Sequence, residues 1–254
     1  MMHGRIEAGR RTNASVDSEQ VDRFAARADA WWDAGGSFRA LHRLNPARLA
    51  FIRSQLSAHF ARDPAALRPF AGLTLLDIGC GGGLVAEPMA RLGFTVSGID
   101  TSAEAIAAAR AHGEAAGLRI EYRTAAVESL AAEGEQFHAV VALELIEHVG
   151  DRDAFYEALG KVIRPDGALI AATLNRTAKS FILAIVGAEY ILHWLPPGSH
   201  DWRKFVRPSE LVLDLRRIGL RVTRLAGISL DPRTGEWSVS EDLAVNYLAA
   251  AVRQ

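Results

Sequence analysis

Residues 75–100 read LLDIGCGGGLVAEPMARLGFTVSGID: an apolar run, a glycine cluster, an amphipathic stretch and a second apolar run ending at an acid. Leu75, Leu76 and Ile78 close the first run. Gly79, Gly81, Gly82 and Gly83 then let the backbone turn sharply and approach a ligand with no Cβ in the way. Residues 85–92 carry helical spacing, and residues 95–99 form a second short strand pattern. Asp100 stands 21 positions after Gly79 (100 minus 79), close to the spacing of an acid that bonds ribose hydroxyls in a βαβ nucleoside site. The stretch predicts an α/β fold around such a unit.

The loop also narrows the ligand. A dinucleotide fingerprint places glycine at the first, third and sixth loop positions. Here the sixth is Leu84. Asp77 sits at the mouth of the loop, where a carboxylate opposes a pyrophosphate and suits a cation. S-adenosylmethionine carries adenosine, ribose, an ammonium and a sulfonium, and no phosphate. The loop, Asp77 and Asp100 resemble motif I and its partner acid in class I methyltransferases. A Gly-rich βα turn of another nucleotide fold is the alternative at this point.

The bulk numbers bound the rest. The chain has 254 residues, 49% hydrophobic and 23% charged, enough for one α/β domain with additions. The formal net charge of −1 gives no global attraction to nucleic acid. Cys80 is the single cysteine, so neither an internal disulfide nor a cysteine zinc cluster can form. In the glycine loop it reads as a small space-filling residue rather than a nucleophile. Residues 1–15 lack an apolar core of the signal-peptide kind and read as a disordered tail. No run of about 18 apolar residues marks a membrane-spanning helix.

Along the chain, Asp17 reads as the cap of a helix to about Ala34, with Gln20 in the capping-box position. Asn45-Pro46 reads as the start of a second helix carrying Leu49, Phe51, Ile52 and Leu56. Residues 16–60 are therefore expected to form an N-terminal helical lid, and 61–254 the main domain. Ser102 opens an alanine-rich helix, and 119–124 form a third strand. Residues 136–145 form a fourth strand, and Asp151 caps a helix to Ile163. Residues 164–167 read as a turn, 168–173 as a fifth strand and 208–219 as a helix. Residues 221–228 and 243–252 read as the last two strands, joined by the polar turn DPRTGEWSVSED. This rhythm predicts a doubly wound sheet of seven strands, right-handed and parallel with the last strand antiparallel. Residues 174–206 interrupt it as an insertion.

Several segments are more specific. They are Ala30-Trp31-Trp32-Asp33, LHRLNPARL at 41–49, DIGCGGG at 77–83 and LELIEHV at 143–149. TLNRTAKS at 173–180, VGAEYIL at 186–192, HDWRKFVRPSEL at 200–211 and Asn246-Tyr247 complete the series. Together they resemble the ubiquinone-biosynthesis O-methyltransferase family, which methylates polyprenylated catechol and demethylubiquinol intermediates. The likeness runs from about residue 16 to the end of the chain. It implies S-adenosylmethionine contacts at Arg48, Gly79, Asp100 and Leu143. The chemistry agrees: Arg48 suits the methionine carboxylate, Gly79 admits the methionine and ribose portion, and Asp100 accepts the ribose hydroxyls. The family more often has methionine where Leu143 stands, a change that conserves volume.

The likeness also implies a metal site at Glu144, Glu147 and His148. If the chain turns helical after Leu143, positions i, i+3 and i+4 share one face, and their donors suit magnesium or zinc. The alternative is that Glu147 and His148 only brace the turn. A metal would lower the pKa of the attacking phenol; without one, His148 is the candidate general base. The segment SFILAIVGAEYILHWLPP at 180–197 is too apolar for a solvated loop and too short to span a bilayer. Arg176 and Lys179 precede it; Arg203, Lys204 and Arg207 follow it. This suits an interfacial segment on an anionic lipid membrane, against the alternatives of a lid or a dimer contact. The expected setting is cytoplasmic and peripheral to the inner membrane, with a ubiquinone-biosynthesis protein complex as a further partner. The rival functions are methylation of another small phenolic or carbon acceptor, a NAD-binding enzyme, and a non-enzymatic polyprenyl-lipid assembly factor.

Overall fold

The computed structural model describes residues 31–36, 38–181 and 201–254. The elements in order are α1 (Arg39–His59), β1 (Thr74–Ile78), α2 (Ala86–Arg91), β2 (Thr95–Asp100) and α3 (Ala103–Ala115). Then come β3 (Ile120–Thr124), α4 (Val127–Glu133), β4 (Phe137–Leu143), a 3₁₀ turn (Ile146–His148), α5 (Arg152–Val162) and β5 (Ile163–Leu174). A short turn of helix (Ala178–Ser180) and a 3₁₀ turn (Trp202–Lys204) lead to α6 (Pro208–Arg217), β6 (Leu220–Leu230), β7 (Trp237–Ser240) and β8 (Asn246–Arg253).

The strands form one sheet in the order β3-β2-β1-β4-β5-β8-β6-β7. β1 to β5 pair in parallel, and β8 runs antiparallel between β5 and β6. β1, β2, β4 and the second half of β5 are buried on both faces, as their near-continuous apolar runs require, while β3 at the edge buries only Tyr122. On one face Leu75, Val96, Val141 and Ile170 pack under Phe51, Ile52 and Leu56 of α1 and Met89 of α2. On the other, Leu76, Ile99, Val140 and Leu169 pack under Leu130 of α4, Phe155 and Leu159 of α5, and Leu211 and Leu215 of α6.

The predicted architecture holds, with three corrections. The sheet has eight strands: Trp237–Ser240, inside the expected polar turn, pairs with β6 as an edge hairpin. Residues 164–167 belong to β5, whose register slips between Phe137 and Ala139 of β4; the turn is a bulge within a strand. α1 begins at Arg39 and runs through Pro46, so Asn45 is no cap. Its Nδ2 donates instead to the Leu84 carbonyl at 2.7 Å. Phe38 and Leu41 pack with Trp31 and Leu84, and this tertiary contact outweighs the local start signal. The expected tail over 1–15 and nearly all of the helix expected over 17–34 lie outside the described residues; 31–34 are turns. Most of the apolar segment at 180–197 also lies outside them.

Candidate active site

Register brings the expected cofactor residues to one edge. Ile78 pairs with Ile99 and with Ala142, so Gly79, Asp100 and Leu143 follow at the same level at the carboxyl ends of β1, β2 and β4. The sheet order reverses between β1 and β4, and open α/β sheets bind ligands at such a switch point. The Gly79 and Cys80 N–H groups both donate to the Ile99 carbonyl, at 2.8 and 3.0 Å, which ties the loop to β2.

Asp100 is oriented by backbone. Its Oδ2 accepts from Gly81 N and its Oδ1 from Ser102 N, both at 2.9 Å. Burial raises its pKa from 3.8, and the N–H groups of Ser102, Gly81 and Thr101 oppose that rise. Asp77 is 3% exposed, and its Oδ2 has no hydrogen-bond partner among the described residues. Burial first, and then the charge of Asp100, push its pKa up to about 7. A buried carboxylate short of partners beside a second acid suits a cationic ligand group. Cys80 is buried, and burial carries its thiol well above the ordinary value, in keeping with a space-filling role.

Arg48 is 4% exposed and reaches from α1 to Glu144, where its Nη2 forms an ion pair. Its Nε is buried without a hydrogen-bond partner among the described residues. A guanidinium with a donor to spare, close to the end of β4, fits a ligand carboxylate.

Glu144, Glu147 and His148 do not share a helical face. Glu144 has φ +47, a left-handed backbone that ends β4 and blocks continuous helix; only the 3₁₀ turn Ile146–His148 follows. Glu144 turns toward Arg48, while Glu147, 2% exposed, accepts from Thr173 Oγ1 at 2.7 Å. Among the described residues, no group of three His, Cys, Asp or Glu side chains is placed to hold a metal ion. The expected magnesium or zinc ligand set is therefore not assembled here: its two carboxylates are committed to different partners. His148 lies half-buried at the same edge.

The glycines have a use the sequence does not disclose. A Cβ on Gly81 or Gly82 would overlap the Trp31 indole, and one on Gly83 would overlap the Tyr122 hydroxyl. Trp31 itself stacks on Phe38 at a centroid distance of 3.9 Å. The contacts among Trp32, His112 and Glu87 also lay outside the sequence reading, which used Trp32 only as part of the segment at 30–33. His112 Nδ1 lies 2.6 Å from Glu87 Oε1, and its ring stacks on Trp32. No short-range pattern marks these contacts, since they join positions 25 to 80 apart. His42 Nε2 meets the Trp31 carbonyl at 2.9 Å and braces the segment.

Comparison with known proteins agrees with this geometry. A family profile described as "Methyltransferase domain" matches residues 76–171. The ubiquinone biosynthesis O-methyltransferase of Methylobacterium sp. (strain 4-46) is 50% identical over 242 residues, covering 95% of this chain and 97% of that protein. The protein of the same name from Paramagnetospirillum magneticum is 49% identical over 239 residues, 94% of this chain and 96% of its own. Among solved structures, magnesium protoporphyrin IX methyltransferase from Synechocystis, with bound SAH, superposes with a TM-score of 0.64. It is 19% identical, over 93% of this chain and 99% of its own, which shows the shared fold. This chain belongs to the ubiquinone biosynthesis O-methyltransferase family.

Proposed function

We propose that this protein transfers a methyl group from S-adenosylmethionine to a phenolic hydroxyl of a polyprenylated catechol or demethylubiquinol. The observation that carries the reading is the convergence of Arg48, Gly79, Asp100 and Leu143 at the switch point of a methyltransferase sheet. Asp100 accepts the ribose hydroxyls, Asp77 faces the cationic portion, and Arg48 takes the methionine carboxylate. The phenol loses its proton to His148, and the phenolate oxygen attacks the methyl carbon in line with the departing sulfur. The new O–C bond forms as the S–C bond breaks, and S-adenosylhomocysteine leaves. Holding the two reactants in line supplies much of the rate. Glu144 and Glu147 hold the turn that carries His148, through Arg48 and Thr173.

The test is methyl transfer to a prenylated catechol beside its unprenylated counterpart. The prenylated acceptor is expected to be preferred, and His148→Ala to lower kcat by about 10²–10⁴ with cofactor affinity kept. Equal use of both acceptors would favour another small phenolic substrate. Activity lost to a chelator and restored by magnesium or zinc would return Glu144, Glu147 and His148 to a ligand role.

The substrate class also supports a peripheral membrane setting, since its tail partitions into lipid. Phe181, at the end of the described stretch, is 44% exposed with its ring edge-on to Trp202. Lys179 pairs with Asp242 and Arg176 with Glu210, so two of the five flanking cations are partly neutralised. Among the described residues no helix is long and apolar enough to cross a membrane. The protein is expected to float with anionic liposomes in a salt-sensitive way and hardly with neutral ones. Loss of flotation on replacing Phe181, Ile185 and Trp194 by polar residues, with cofactor binding intact, is the expected result. Equal flotation of variant and wild type would count against it.

A further inference from the structure

Trp32 joins three elements that are far apart in sequence. Its indole N–H donates to the Gly82 carbonyl at 2.9 Å. Its ring lies on His112 of α3, centroids 3.5 Å apart and 4° from parallel. His112 is held in turn by Glu87 of α2, fully buried, at 2.6 Å; Arg91 approaches the other oxygen of Glu87 at 3.4 Å. Next to Trp32, Trp31 covers the Cα atoms of Gly81 and Gly82. The segment before α1 is thus pinned to the glycine loop. The Gly81 N–H under this cover is the donor that orients Asp100 Oδ2. A run of contacts leads from Glu87 through His112, Trp32 and the Gly81–Gly82 turn to Asp100.

We propose that Trp32 and His112 are positioning residues for the cofactor, a latch that fixes the Gly81–Gly82 turn and, through it, the carboxylate that receives the ribose. The proposal rests on the reading of Asp100 as the ribose acceptor. The stacked His112 ring sets where the indole lies, and the bond to Gly82 sets where the loop lies. Neither residue touches the transferred methyl group. Their loss acts on cofactor affinity and leaves the chemical step at saturating cofactor nearly unchanged.

The test measures KM and kcat, with the Kd for S-adenosylmethionine by calorimetry, in folded Trp32→Ala, Trp32→Phe and His112→Ala proteins. Trp32→Ala and His112→Ala are expected to raise KM and Kd about 10-fold, with kcat within about 2-fold of wild type. Trp32→Phe keeps a ring on His112 and loses the N–H donor, so it is expected to fall between Ala and wild type. Combined with Asp100→Asn, Trp32→Ala is expected to add little further loss, because both act on one contact. Unchanged Kd and KM in Trp32→Ala, a loss confined to kcat, or full additivity with Asp100→Asn would overturn the latch. The underlying site reading fails separately, if wild type does not bind S-adenosylmethionine or if Asp100→Asn leaves its Kd unchanged. In that event hydrogen exchange at residues 79–84 still decides the latch: faster exchange in ligand-free Trp32→Ala supports it, and wild-type exchange overturns it.

Discussion

Asp77→Asn is expected to raise the melting temperature of the ligand-free protein at pH 8 and, in the same variant, to weaken S-adenosylmethionine binding. Burial, with Asp100 nearby, lifts this carboxyl from 3.8 to about 7 in the folded state. Below pH 3.8 folded and unfolded chains both hold the proton. As pH rises from 3.8 to 7 the unfolded chain releases it and the folded chain keeps it, so stability falls across that window and levels off above it. At 1.36 kcal/mol per pH unit the cost approaches about 4 kcal/mol as an upper bound. Asparagine carries no charge to desolvate. A gain of about 2 kcal/mol at pH 8, several degrees in Tm, is expected, vanishing near pH 4. Binding moves the other way, because the ionised carboxylate is what favours a cation in this pocket. An affinity loss of about 10-fold or more is expected. Calorimetry at pH 6.5 in buffers of different ionisation enthalpy should show proton release on binding to wild type and none to the variant. Equal melting of the two proteins at pH 8 would place the proton elsewhere.

Arg48→Ala is expected to raise the Kd for S-adenosylmethionine by about 100-fold, the scale of losing charge-assisted hydrogen bonds to a carboxylate. The same change should hardly affect 5′-methylthioadenosine, which has the nucleoside and no carboxylate. Arg48→Lys should recover only part of the loss, since an ammonium cannot reproduce the fork that holds Glu144 with one nitrogen and leaves Nε over. The side chain of Glu144 is 27% exposed, so removing its partner leaves a carboxylate that water can reach. The cost to folding should stay below that of a fully buried broken pair. Parallel loss of affinity for both ligands would mean that Arg48 supports the fold of the pocket rather than the carboxylate.

What the sequence disclosed follows from period and spacing. The glycine loop, the apolar runs of β1, β2 and β4, and Asp100 at the end of β2 are local signals. Register then carried them to one edge. The Ser102 and Asp151 caps were equally legible, because each accepts from a backbone N–H three residues on. The failures share a different cause. Glu144 breaks the helical spacing by taking a left-handed φ, which no residue type at that position announces. Asn45-Pro46 looks like a helix start, but Phe38 and Leu41 find partners in Trp31 and Leu84 and extend the helix backward. β7 is four residues long in a polar stretch, and it exists because β6 offers it an edge. Beyond the approach to a ligand that the sequence suggested, two of the loop glycines make room for Trp31 and a third for Tyr122. Such packing partners are fixed only by the folded chain.

The place of β8 in the sheet bears on how the protein is made. Every other described strand precedes it in the chain, yet it lies between β5 and β6 and, among the described residues, is their only link within the sheet. During synthesis β1 to β5 can assemble as they emerge, while β5 and β6 wait with open edges for a strand that comes last. Tyr247 then closes the arrangement by donating to the Val206 carbonyl, at 3.0 Å, beside the start of α6. Until β8 has emerged and paired, the chain carries two open strand edges, a template for joining another chain. The hazard lasts until the strand from Asn246 to Arg253 is in place.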